Sequence, residues 1–119
     1  MVVIDVPADG HEQELAFWQT ATGTSLRHYE QFPEYHGAKL PGQSLGFLVQ
    51  RLHDGPARVH LDIHTDNLEA EVARLEQAGA VRVRQVNAWW VMQDPAGLPF
   101  CVIPEEPGTY TEQNAQRWD

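Results

Sequence analysis

The sequence predicts an α+β fold of two tandem βαβββ modules that form a cupped, open mixed sheet with helices on its outer face. Three observations predict it. A strand-like stretch precedes an amphipathic helix twice, at 2–22 and 59–79. A glycine, Gly23 or Gly79, follows each helix, where a left-handed residue ends it. Strand-like stretches follow both helices in the same order, although an ordinary α+β domain with coincidental spacing is the alternative interpretation.

The first module is predicted at about 1–52. Its first strand is β-branched apart from one acid and covers 2–6. Asp9 and Glu12 have the spacing of a capping box, so Asp9 is the predicted N-cap of a helix that continues to about Thr22. The glycine- and proline-rich segment 32–43 is predicted to hold turns around at most one short strand. The other predicted strands are 25–31 and 45–52.

The second module is predicted at about 58–104. Asp66 and Glu69 repeat the capping box, and apolar residues at helical spacing follow them. The sequence DPAG at 94–97 predicts a turn between the last two strands. The predicted strands are 59–64, 80–86, 88–93 and 98–103. The polar tail, 105–119, is predicted to be irregular, with Tyr110 and Trp118 packing on the domain or on a partner subunit.

Alternation along the strand at 59–64 assigns its two faces. Val59, Leu61 and Ile63 are expected to pack under the helix. The opposite face then carries a polar set that the internal repeat relates to Val3 and Asp5 of the first module. That polar set is His60, Asp62 and His64.

Length and composition predict a single globular domain over 1–119, because 42% of its 119 residues are apolar and 21% are charged. The formal net charge of −9 makes nucleic acid and anionic membrane surfaces poor partners. No apolar run approaches the roughly 20 residues that span a bilayer. The N-terminus lacks the pattern of a signal peptide, and the single cysteine suits a reducing cytoplasm.

Three stretches, RVHLDI, DNLEAEVARLEQAGA and WVMQDPAGLPFCV, resemble the glyoxalase-like branch of the vicinal oxygen chelate superfamily, which includes glyoxalase, bleomycin-resistance and extradiol dioxygenase proteins. The resemblance covers nearly the whole chain. It implies paired βαβββ modules and often a homodimer. Metal-dependent members bind a divalent ion with one side chain from the first strand and one from the last strand of each module.

Carried over by position, that metal set falls on Gln50, His60, Cys101 and either Val3 or Met1. Cysteine replaces the acid that the resemblance implies in the final strand, and neither first-strand residue ligates a hard divalent ion. The turn also departs from the common form of the family. The sequence therefore predicts no bound cofactor. A divalent metal held by His60, Gln50 and Cys101 is the alternative, with Asp5, Asp62 or His64 as substitutes if they point inward.

The predicted ligand-binding residues line a cavity between the modules. The resemblance favours the aromatic and thioether side chains of Trp90 and Met92 on that side, which suits a flat, apolar small molecule, although plain core packing explains them equally well. The full predicted set is Gln50, His60, Asp62, Trp90, Met92 and Cys101.

Two further features have competing interpretations. Asp5 and Asp62 could act as an acid/base pair, but a structural role as hydrogen-bond acceptors, for example from Arg58, is favoured. The histidine- and aromatic-rich segment 28–37 lies in a turn-rich region and is typical of a lid. Its spacing does not fix the mutual geometry of its histidines, so it predicts no metal site.

The favoured function is a metal-free, small-molecule-binding protein that sequesters or senses an organic ligand. The alternative is a lyase or isomerase acting on a carbonyl compound, with His60 as general base and Gln50 polarising the carbonyl. A nucleophilic role for Cys101 would need His60 as its base. A purely structural or partner-binding domain is a third interpretation that no residue specifically favours.

Overall fold

The computed structural model describes residues 1–39, 45–111, 115 and 117–118. The chain divides into two compact units, Met1–His60 and Leu61–Asp119, with the division inside one strand. The elements, in chain order, are β1 (Val2–Pro7), α1 (His11–Thr22), β2 (Arg27–Tyr29), β3 (Phe32–Lys39), β4 (Gly46–Leu52), β5 (Arg58–Thr65), α2 (Leu68–Gln77), β6 (Val81–Val86), β7 (Trp89–Gln93) and β8 (Pro99–Pro104).

In the first unit, the strands are ordered β2-β3-β4-β1, with β1 and β4 parallel and the other pairs antiparallel. Helix α1 packs on β1 and β4. Side chains alternate between the two faces of each strand, so every second one faces the helix and contributes to the core of the unit. The buried core residues are Val6, Leu15, Leu26, Phe47 and Val49.

The strands that follow in the second module repeat this arrangement in the order β5-β8-β7-β6, with β5 and β8 parallel and the other pairs antiparallel. Helix α2 packs on β8. Val72 of the helix forms a buried cluster with Met92 and Val102. The predicted α+β class, with a βαβββ module in each half, is confirmed.

The helix ends match the sequence at their C-termini and differ at their N-termini. Gly23 ends α1 in the left-handed conformation, with φ of 67°. The N-cap of α1 is Gly10, with no side-chain cap, because Asp9 lies within a 3-10 turn that precedes the helix. The N-cap of α2 is Asn67, whose side chain accepts a hydrogen bond from the backbone N–H of Ala70. Both predicted capping boxes are therefore wrong.

This difference makes a stability prediction. We expect Asn67→Ala to lower the free energy of unfolding by about 1 kcal/mol, because it removes the side-chain acceptor of an N-terminal helix N–H. Asp66→Ala is the matched control and is expected to change that free energy by less than about 0.5 kcal/mol. Urea denaturation of both variants measures the two values. If Asp66→Ala lowered the free energy of unfolding more than Asn67→Ala did, the N-cap would be Asp66, as the sequence predicts.

Two expectations about burial and loops are also corrected. Val59 and Leu61 are 62% and 55% exposed, so they do not pack beneath a helix. The reason is that α2 packs on β8, the neighbour of β5. The segment 28–37 is not a lid loop, because most of it lies in the β2–β3 hairpin. Residues 40–43, the end of the predicted turn segment, lie outside the described residues.

In the described part of the tail, the ring of Trp118 lies 4.2 Å from the guanidinium carbon of Arg74 in α2. Trp118 therefore packs against its own compact unit through a cation–π contact, one of the two alternatives expected for it. Tyr110 is half-buried. Among the described residues, no helix combines the length and the apolar character needed to cross a bilayer.

Candidate functional site

A buried carboxylate and a histidine are paired in the first compact unit. Asp5 lies in β1 on the face opposite α1, and it is only 2% exposed. Its Oδ2 lies 2.7 Å from Nδ1 of His60. Nε of the half-exposed Arg58 lies 3.8 Å from the same oxygen. Asp5 is thus the hydrogen-bond acceptor that its structural interpretation predicted, with His60 as its close partner.

This pairing fixes the chemistry of the imidazole. A carboxylate can only accept, so Nδ1 of His60 carries the hydrogen that is donated to Asp5. The proton-accepting lone pair of the neutral ring then lies on Nε2. The Asp5 carboxylate also stabilises the imidazolium that forms if Nε2 takes a proton, which is the arrangement of a histidine general base and its orienting acid.

Gln50 and Tyr35 lie in the same row of the sheet as Asp5. Asp5 of β1 is in register with Gln50 of β4, which is in register with Tyr35 of β3. Residues directly opposite each other share a face, so all three lie on the side away from α1. Gln50 is half-buried. An amide beside a carboxylate–histidine pair can donate or accept a hydrogen bond from a polar ligand.

Two possible metal ligands, Asp62 and Cys101, are directly opposite in the β5–β8 pair of the second compact unit. Carboxylate and thiolate are both ligands of Zn²⁺. Of the two first-strand positions that the resemblance implies, Val3 is a buried aliphatic side chain that offers no ligand atom.

The predicted positions of Trp90 and Met92 are wrong. Met92 is 0% exposed and belongs to the buried cluster with Val72 of α2, and Trp90 packs against that cluster. Trp90 is in register with Val102, which is also in the cluster. The indole and the thioether therefore lie on the helix side. Alternation along one strand shows which residues share a face, but only the pairing with neighbouring strands shows which face the helix covers.

A second histidine–carboxylate pair was not predicted from the sequence. Nδ1 of His64 in β5 lies 2.7 Å from Oε1 of Glu105. Burial, with the charges of Glu105 and Asp66, raises the pKa of the Tyr110 phenol. The parallel β5–β8 pairing places the chain after β8 beside the end of β5, and no local pattern in the sequence indicates that approach.

Two histidines on the helix side of the first unit have lowered pKa values. Burial is the main cause that lowers the pKa of His11, and the charge of Arg51 adds to it against a smaller effect of Glu12. Burial also lowers the pKa of His36, with added repulsion from His11 and His28. Both rings are therefore held neutral in the folded state at pH values where unfolded histidines take protons.

These lowered pKa values predict that the folded state becomes less stable in acid. The unfolded histidines titrate at about 6.5 and the folded ones lower. The unfolded chain therefore binds more protons below pH 6.5, and the free energy of unfolding falls as pH decreases from there to the lowered pKa. The slope is at most about 1.4 kcal/mol per pH unit for each ring. Urea denaturation with a chelator present, at several pH values, measures it. His36→Asn is expected to flatten the slope, and an unchanged slope would contradict this assignment.

Comparison with known proteins agrees with this fold. The glyoxalase-like domain model matches residues 1–103. Methylmalonyl-CoA epimerase from Mycobacterium tuberculosis is 16% identical, with 89% of this chain and 86% of that chain covered and a TM-score of 0.62. An NAD-dependent benzaldehyde dehydrogenase structure from Legionella pneumophila is 7% identical, with 86% and 96% covered and a TM-score of 0.58.

These two structural likenesses show the fold alone. No curated protein matches the sequence. The family model covers most of the chain, including the strands that carry Asp5, Gln50, His60 and Cys101. The resemblance noted in the sequence is thereby confirmed, and the chain belongs to the glyoxalase-like domain family.

Proposed function

We propose that this protein binds a small organic ligand that carries a carbonyl or hydroxyl group, and that His60 contacts that polar group. The observation that carries the proposal is the 2.7 Å hydrogen bond from His60 to the buried carboxylate of Asp5. The bond holds the imidazole in one tautomer and one orientation. A ligand oxygen can then bind to a ring whose polarity is set in advance.

Stability alone does not account for this pair. Burying a carboxylate removes its hydration, and apolar residues of similar volume often stabilise a fold as well or better. The neighbouring Val3, on the same face of β1, shows that an aliphatic side chain fits this surface. The presence of a hydrogen-bonded Asp5 and His60 on this surface therefore supports a role in recognition.

A ligand screen tests the proposal. Thermal unfolding is measured against a panel of carbonyl- and hydroxyl-bearing metabolites and drugs, and a ligand at 100 times its Kd is expected to stabilise the protein by about 2.7 kcal/mol. His60→Ala is expected to abolish the stabilisation. His53→Ala, an exposed histidine in the turn after β4, is the matched control and is expected to preserve it. Equal stabilisation of both variants would exclude His60 from the binding site.

A second function, isomerase- or lyase-type catalysis on a carbonyl compound, is favoured by the same tautomer. With Nδ1 bonded to Asp5, Nε2 of His60 is the ring atom that can take a proton from carbon next to a carbonyl. Gln50, one strand further along the row, is the residue suited to hydrogen-bond the developing enolate oxygen. No step of this scheme requires a bound metal.

Proton exchange separates the two functions. Each ligand found by the screen is incubated with the protein in D₂O, and loss of the signal of the hydrogen next to the carbonyl is followed by NMR. Catalysis predicts exchange that His60→Ala slows by at least about 100-fold. Binding without exchange supports the first function alone. Exchange that is equal in the unaltered protein and in His60→Ala would reject the catalytic role.

A further inference from the structure

Three histidines from separate elements meet on the helix side of the first compact unit. His11 is the first residue of α1, His28 lies in β2 and His36 lies in β3. His28 and His36 are directly opposite in the β2–β3 pair, with ring centroids 4.9 Å apart. The rings of His11 and His36 have centroids 5.1 Å apart. His36 is thus the central ring, and we call these three residues the histidine triad.

Two nitrogens of the triad are buried without a hydrogen-bond partner in the part of the chain that the structure describes. They are Nε2 of His11 and Nδ1 of His36, and His11 as a whole is only 5% exposed. A buried polar group without a partner costs roughly 1–3 kcal/mol, and folded proteins contain few of them. A neutral imidazole carries a lone pair on one of its two nitrogens, and these two atoms can carry it. A bound cation is the partner that satisfies such lone pairs.

The third ring, His28, makes the kind of backbone hydrogen bond that orients metal-binding histidines. Nε2 of His28 lies 3.0 Å from the carbonyl oxygen of Pro33. The carbonyl can only accept, so Nε2 carries the hydrogen and Nδ1 carries the lone pair. Histidine ligands of metals usually donate their other ring N–H to a backbone carbonyl or carboxylate in this way.

The spacing of the rings fits a shared ion. Two imidazoles bound to one tetrahedral ion, at Zn–N distances of about 2.0 Å, have centroids about 5 Å apart. The two measured centroid distances are 4.9 and 5.1 Å. The ligand atoms of the triad do not all lie within 4.8 Å of one another, so its rings must turn about their Cβ–Cγ bonds to bind one ion. That torsion is broad for histidine, so no single ring orientation is strongly preferred by the side chain itself.

Nearby charges have opposite effects on cation binding at the triad. Arg51 repels positive charge at His11 and His36, and Glu12 attracts it. Neutral imidazole selects late first-row divalent ions over Mg²⁺ and Ca²⁺, which prefer oxygen. We propose that the histidine triad binds one late first-row divalent metal ion, such as Zn²⁺, Ni²⁺ or Co²⁺, and so joins the start of α1 to the β2–β3 hairpin.

The test uses the chain 1–119 without a histidine tag, with His60→Ala introduced to remove the histidine that the sequence predicts as an alternative metal ligand. After chelation, the protein is titrated with Zn²⁺ by calorimetry and with Co²⁺ by visible absorption. We expect one equivalent to bind and the midpoint of thermal unfolding to rise. Adding His28→Ala, an exposed position that leaves the core intact, is expected to weaken binding by at least about tenfold.

Two further variants make the result decisive. His36→Asn is expected to abolish the Co²⁺ absorption, and circular dichroism checks that this variant remains folded. His53→Ala is the control for nonspecific histidine binding and is expected to bind as tightly as its parent. Absence of binding in the His60→Ala protein, or equal affinity with and without His28, would overturn the proposal. Neither result bears on the ligand-binding role of His60.

Discussion

Met92→Ala is expected to lower the free energy of unfolding by about 2–5 kcal/mol. Met92 is 0% exposed and packs with Val72 and Val102 beneath α2. Removing its thioether and methylene groups leaves a cavity that the rigid helix and strands can close only in part. Urea denaturation followed by far-UV circular dichroism measures the loss.

The matched control is Val83→Ala, a truncation in the neighbouring strand β6. Val83 is about half exposed, so its loss is expected to change the free energy of unfolding by less than about 0.5 kcal/mol. The outcome also decides between two positions for Met92. If Met92 lined a ligand site, as the sequence predicted, its truncation would alter ligand affinity with little effect on stability.

Asp5→Ala is expected to lower the free energy of unfolding by about 1–3 kcal/mol, because it leaves the Nδ1–H of the partly buried His60 without its acceptor. The same reasoning predicts non-additivity. With His60→Ala already present, Asp5→Ala is expected to have a smaller effect, and the coupling energy of the double-mutant cycle is expected to be about 1–3 kcal/mol.

The cycle is measured by urea denaturation of the parent, both single variants and the double variant at pH 7. Asp54→Ala removes an exposed acid from the turn after β4 and is the control for the change in net charge. Its coupling to His60→Ala is expected to be about zero. A coupling energy below about 0.3 kcal/mol for Asp5 and His60 would show that their hydrogen bond contributes little in solution.

Local patterns predicted most elements of this fold, but they did not predict the eight-residue strand β3, whose glycine and proline indicated turns. A run of β-branched residues predicted β1, alternation of apolar and polar residues predicted β5, and helical spacing of apolar residues predicted α2. Each of these signals lies within one element. The N-caps were less predictable. Asp66 and Asn67 are both good N-cap residues. Which of them is the last extended residue before the helix depends on the path of the chain between β5 and α2.

The site required more than local patterns. Alternation grouped His60 with Asp62, and the resemblance singled out Gln50 and Cys101. Neither indicated that the partner of His60 is Asp5, which is distant in sequence. The faces of Trp90 and Met92 were wrong for the same reason, since a strand has two faces and only its pairing partners show which one the helix covers.

The sequence by itself determined the α+β class, the repeated βαβββ order and the family, because periodicity, glycine stops and the internal repeat are carried by neighbouring residues. The tertiary structure decided which polar groups meet. It paired Asp5 with His60, brought Asp62 to Cys101, and gathered His11, His28 and His36 from three elements. Such contacts depend on strand register and helix placement, which the whole core fixes at once and no single segment encodes.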